Sequence, residues 1–165
     1  MPRLSDTLSH VWRILVPGGS FVCAVWAEAS KVPFISIPLD IVISKLNVRP
    51  FPVGAPGPFL LAESSVLECA LSNAGFTNIH SERLNVTFEF ALVEDYVNYT
   101  RAVSSTIKSI LSKEPVNRQE EIWNIVKERI TNNYTANGHN TAKQSVRMHN
   151  ECICMIAKKP GQCHY

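Results

Sequence analysis

The sequence predicts an α/β fold with three strands. A continuous apolar run from Ser20 to Ala27 and an alternating segment from Asn78 to Phe90 read as strands, as does the apolar stretch from Cys152 to Ala157. Segments of helical periodicity fill the chain before and between them, in the order helix, strand, helices, strand, helices, strand. The 165 residues, 45% of them apolar, suffice for one domain with a sizeable core and exclude general disorder. Charged residues are only 18%, against roughly 25% in an ordinary soluble domain. Part of the surface is therefore expected to face a partner or another part of a larger protein.

From Arg3 to Val16 the apolar residues Leu4, Leu8, Val11, Trp12 and Leu15 fall on one helical stripe. Pro17 stops this helix and Gly18-Gly19 supplies the turn into the first strand. The unbroken run Phe21 to Trp26 predicts a strand buried on both faces. Six of the ten prolines lie between Pro33 and Pro58, the least regular part of the chain. Within it Ser36 to Leu46 predicts a short helix with Pro38 near its first turn, and Asn47 to Phe59 a long ordered loop.

Glu63 to Asn73 predicts a helix with Val66, Cys69 and Ala70 on its apolar side, closed by Gly75. The strand from Asn78 to Phe90 carries a break near Ser81 to Arg83, the mark of a bulge. Two helices are then expected, Glu94 to about Ser112 and Asn117 to about Asn133, followed by a polar loop from Tyr134 to Gln144. The last strand is Cys152 to Ala157, with a frayed tail after Pro160.

A net charge of +2, with no Lys/Arg cluster beyond a pair, argues against a nucleic-acid surface. No apolar run approaches the ~18 residues of a membrane span. The segment after Met1 lacks a signal-peptide pattern, so a soluble, cytoplasmic protein is expected. Five irregularly spaced cysteines do not make a disulfide framework, and the sequons at Asn85, Asn98 and Asn133 read as chance matches. The one metal candidate set, His149, Cys152, Cys154, Cys163 and His164, lacks C-x-x-C spacing, so no metal is expected and the strand thiols read as small hydrophobes. No two glycines form G-x-G, and neither G-x-S-x-G nor H-E-x-x-H occurs.

The informative segment is Trp12-Arg13-Ile14-Leu15-Val16-Pro17-Gly18-Gly19, followed by the apolar strand ending Val25-Trp26. It resembles the helix, turn and strand of class I S-adenosylmethionine (SAM)-dependent methyltransferases, whose consensus there is R-V-L-K-P-G-G, with Val16 in place of the lysine. Gly57-Pro58-Phe59 with Leu61-Ala62, the Ala74-Gly75-Phe76 step and Val86-Thr87-Phe88-Glu89-Phe90 are similar to later segments of the ubiquinone/menaquinone-type small-molecule enzymes. The likeness extends over residues 3–158. It implies a Rossmann-like sheet of order 3-2-1-4-5-7-6, of which this chain would hold strands 5, 7 and 6 in a single partial domain over 1–165, with a helical cap at about 91–147. The glycine-rich first motif and the acidic residue that holds the ribose have no counterpart in the sequence. SAM is the implied cofactor, and an isolated chain of this content is expected to be inactive.

Ligands of open α/β sheets sit beyond the carboxyl ends of the strands. Trp26 and Glu28 fall there, Trp26 as pocket wall or core and Glu28 as candidate general base or simply a solvated carboxylate. Phe34, Phe51 and Phe59, with Tyr96 and Tyr99, are candidates to line an apolar substrate chamber, each with ordinary packing as the alternative. The expected function is methyl transfer to a small, mostly apolar molecule. The alternative is a non-catalytic binding or assembly module on the same fold, and the expected partners are a small molecule with a second copy or the complementary half of the sheet.

Overall fold

The computed structural model describes residues 3–49, 56–135 and 145–161. Its elements are α1 (Leu4–Ile14), β1 (Ser20–Trp26), α2 (Pro33–Lys45), α3 (Ser64–Asn73), β2 (Thr77–Phe90), α4 (Val93–Val103), α5 (Ser105–Leu111), α6 (Val116–Tyr134) and β3 (Val146–Lys158). The sheet has the order β1-β3-β2, and β3 runs antiparallel to β1 with Val22 opposite Ile156 and Trp26 opposite Cys152. The α/β class is thus as expected, with the last strand in the middle and a helical insertion between β2 and β3. Contacts divide the chain into two compact units: residues 1–28, 58–85 and 151–165, and residues 29–57 and 86–150.

In the first unit α1 ends where Pro17 cannot continue it, and Gly18 takes the left-handed conformation at φ +78°. The Lys159 ammonium donates to the carbonyls of Trp12 and Leu15 at 2.8 Å each and lies 4.0 Å from the centre of the Trp12 ring. A cation there satisfies orphan carbonyls and opposes the negative end of the helix dipole. Helix α3 buries Leu67 and Leu71 and leaves Val66 and Cys69 exposed. The inward side is therefore the Leu67–Leu71 pair and not the expected Val66, Cys69, Ala70 side. The larger aliphatic pair removes more apolar surface from water.

A second correction concerns β1. Phe21, Cys23 and Val25 are half-buried, whereas Val22 is 58% exposed, Ala24 is exposed, and Ile156 beside Val22 is 38% exposed. The apolar run is a strand, but within this unit only one of its faces is covered. Along β2 the inward residues are Ile79 and Ser81, then Val86, Phe88 and Phe90. The alternation changes phase between them, where a break was expected, although the strand continues. The same change occurs in β3, from Val146, Met148 and Asn150 to Ile153, Met155 and Ala157.

In the second unit α2 begins earlier than expected, with Pro33 at its first turn. Its amino end has no local side-chain cap. Instead Asn150 of β3, 1% exposed, accepts the Phe34 N–H at 3.0 Å on Oδ1 and donates from Nδ2 to the Met148 carbonyl at 3.1 Å. The helix expected from Glu94 to Ser112 is two helices, because Ser104 leaves the helical conformation and its hydroxyl accepts the Ile107 N–H. Helix α6 follows Pro115 and buries the expected stripe Ile122, Trp123, Val126 and Ile130. Arg101 of α4 grips Glu120 of α6 through two bonds of 2.7 Å and lies over the Trp123 ring.

Candidate functional site

In the second unit an aromatic cluster gathers three of the expected chamber residues. Phe34 stacks on Phe88 with centroids 4.5 Å apart, and Tyr96 meets both Phe34 and Phe90 edge-on at 5.6 Å. Tyr99, 45% exposed, lies 6.0 Å from Phe34 and 5.7 Å from Phe90 and forms the solvent side of the cluster. Phe88 and Phe90 were read only as strand residues. Their signal was their spacing of two, which puts both rings on one face of β2.

Tyr96 is 0% exposed, and its hydroxyl has a specific task. Pro38 lies inside α2 and has no N–H to give to the Phe34 carbonyl one turn earlier. The Tyr96 hydroxyl donates to that carbonyl at 3.2 Å. Burial holds the phenol far above its usual range, so it remains a donor. Tyr96→Phe should strand the carbonyl and lower stability by about 1–3 kcal/mol, read as a shift of the urea midpoint with the slope unchanged. An unshifted midpoint would show that water replaces the hydroxyl.

In the first unit, Trp26 closes β1 half-buried and Glu28 follows it. One guanidinium nitrogen of Arg83, on β2, bonds Glu28 at 3.0 Å and also Glu151 of β3. The Glu28 carboxylate is engaged by Arg83, which opposes a base role while the pair is closed. Arg83 and Glu151 were missed because they stand 55 and 123 residues beyond Glu28 in sequence. Phe59 is half-buried in this unit, while Phe51 lies outside the described residues. The Cys23 thiol is pushed up by burial and then by Cys154, so it stays protonated.

SAM needs a cradle of backbone N–H groups at the carboxyl end of a strand. Gly18 and Gly19 lie before β1 and Gly75 lies before β2, at the amino ends of both strands. Among the described glycines these serve turns: a Cβ on Gly19 would stand 2.9 Å from the Val16 carbonyl, and Gly75 has φ +93°. The cofactor does not fit these turns. Among the described residues no group of three His, Cys, Asp or Glu side chains could hold a metal ion, and no helix is long and apolar enough to cross a membrane. Cys163 and His164 lie outside the described residues.

No protein-family model and no curated protein matches the sequence. Among solved structures the chain is similar to a Bacillus halodurans C-125 protein assigned as a methyltransferase, at 16% identity and a TM-score of 0.41, over 94% of this chain and 62% of that one. It is also similar to the Haemonchus contortus phosphoethanolamine N-methyltransferase 2, solved with phosphomonomethylethanolamine and S-adenosylhomocysteine. There the identity is 14%, the TM-score 0.36, and the match covers 94% of this chain and 30% of that one. The chain thus spans less than two thirds of the length of either protein.

Proposed function

We propose that the chain carries the strand 5, strand 7 and strand 6 portion of a class I SAM-dependent methyltransferase fold, and that the whole enzyme methylates a small, mostly apolar molecule. The observation that carries this reading is the sheet order β1-β3-β2, with β3 antiparallel to β1 and inserted between strands that precede it. That is the 5-7-6 arrangement which the sequence resemblance implies. The Pro17-Gly18-Gly19 turn before β1, the Ala74-Gly75-Phe76 step before β2 and the helices α4–α6 before β3 support it.

In this reading Tyr99 and Phe34 meet the apolar body of the substrate, with Tyr96 holding Phe34 in place. In the first unit by itself, Trp26 and Phe59 are proposed as ligand contacts and Glu28 as a base once Arg83 is displaced. A cytoplasmic setting belongs to the same proposal.

SAM contacts belong mainly to the glycine-rich part of the family fold. Calorimetric titration of the purified 165-residue chain with S-adenosylhomocysteine should therefore give weak binding or none. A dissociation constant in the low micromolar range would overturn the assignment of strands. The gene upstream of Met1 separates the enzyme from an assembly module: an in-frame glycine-rich turn followed by an acidic strand end supports the enzyme, and a stop codon with a ribosome-binding site supports the module.

A further inference from the structure

In the first unit, backbone bonds just beyond each end of β1 fix which of its residues turn away from β3. The Ala27 N–H donates to the Glu151 carbonyl at 3.1 Å, and the Lys159 N–H donates to the Gly19 carbonyl at 2.8 Å. Between these bonds the pairing is regular, from Ser20 opposite Lys158 to Trp26 opposite Cys152. Successive residues of an antiparallel strand direct their backbone groups to alternate sides, so Phe21, Cys23 and Val25 bond to β3. The N–H and C=O groups of Val22 and Ala24 therefore point to the outer edge, and no described strand lies there. Side chains alternate in the same step. Phe21, Cys23 and Val25 are half-buried, with the Phe21 ring 5.8 Å from that of Phe76, and Val22 and Ala24 are exposed on the opposite face.

Such an edge is complementary to itself. We propose that two copies of the chain join β1 to β1 as an antiparallel pair whose twofold axis passes through Cys23, which merges two three-stranded sheets into one. Faces and bonds both restrict the register. A slip by one residue would set Val22 against Cys23 of the other copy, opposing an outward backbone group to an inward one and an uncovered face to a covered one. Of the registers that remain, the one centred on Cys23 pairs Ser20–Trp26 along its full length. Val22 and Ala24 of opposite copies then exchange N–H···O=C bonds. The two Cys23 residues face each other as a non-hydrogen-bonded pair, with Cα atoms about 4.5 Å apart. The strand carries no charge to repel its copy. Lys158 lies beside its amino end and Glu28 follows its carboxyl end, so antiparallel approach brings unlike charges together where parallel approach would oppose like ones. A contact of this symmetry closes at two copies. The inference uses only the edge that this chain presents and stands apart from the methyl-transfer reading.

Sedimentation of the 165-residue chain should give a dimer. Ala24→Pro removes an outward N–H and leaves the bonds to β3 in place, so it should keep the circular dichroism of the fold and weaken dimerisation about tenfold or more. The register is read separately, by isotope-filtered NMR on a mixture of labelled and unlabelled chains. There the Cys23 Hα protons of the two copies should give a strong cross-peak, because a non-hydrogen-bonded antiparallel pair brings its Cα atoms closest. Should Ala24→Pro fail to fold, this cross-peak in the unaltered chain decides. The proposal is overturned by a wild-type chain that stays monomeric at high concentration, or by open-ended aggregates in place of a dimer. It is equally overturned by a folded Ala24→Pro chain that dimerises as tightly as wild type, or by contacts between copies that leave Cys23 out.

Discussion

Replacing Asn150 by alanine should lower the stability of the second unit by about 2–3 kcal/mol, the cost of leaving buried polar groups unsatisfied. Its side chain is the only described polar group that reaches the Phe34 N–H at the amino end of α2, and it also satisfies the Met148 carbonyl. Without it both groups remain where water is excluded. Asn150→Asp is the sharper variant. It keeps the acceptor for Phe34 but removes the donor for Met148 and buries a charge, so it should be at least as damaging at neutral pH. Urea unfolding followed by circular dichroism reads both. A loss below about 0.5 kcal/mol for alanine, the range of neutral surface changes, would show that α2 is held by its apolar side alone.

The second large effect is expected in the state of association. β1 is an outer strand among the described residues and carries Val22 and Ala24 exposed on one face. Neither a lysine nor a proline interrupts Phe21 to Trp26, so its outer edge offers an unblunted row of backbone donors and acceptors. The chain should therefore dimerise or aggregate when expressed alone, and Val22→Lys should raise the monomer fraction several-fold. Because Val22 is already 58% exposed, the lysine reaches solvent without the burial cost that a covered face would impose. Light scattering after size exclusion measures the outcome. A wild-type chain that stays a monodisperse monomer at high concentration would show that another segment covers this strand.

Much of the architecture was legible where chemistry is local. Pro17-Gly18-Gly19 marked the end of α1 and the start of β1, and the stripe Ile122, Trp123, Val126 and Ile130 marked α6. Local chemistry failed where one signal had two meanings. Pro38 suggested an early position in α2, yet it lies inside the helix because Tyr96 repairs the bond it removes. Ser104 resembled any other polar helix residue and instead divides α4 from α5. The continuous apolar run in β1 identified a strand but could not say whether both faces are covered. At the candidate site Phe34, Tyr96 and Tyr99 were visible as aromatic residues, whereas their gathering around Phe88 and Phe90 was not. Arg83 escaped notice because its carboxylate partners are remote in sequence and no pattern links them.

The pairing of β1 with β3 also governs how the chain comes to be folded. Trp26 meets Cys152, well over a hundred residues later, and closing so long a loop must precede any reward from the pairing. On the ribosome, at roughly 5–20 residues per second, β1 waits on the order of ten seconds for its neighbour. Helices α2, α4, α5 and α6 pack on one another and all precede β3 in the chain, so they can organise during that interval. The apolar strand that emerges first is thus the one whose pairing is completed last, and the nascent chain is most dependent on chaperone protection while β3 is still being made.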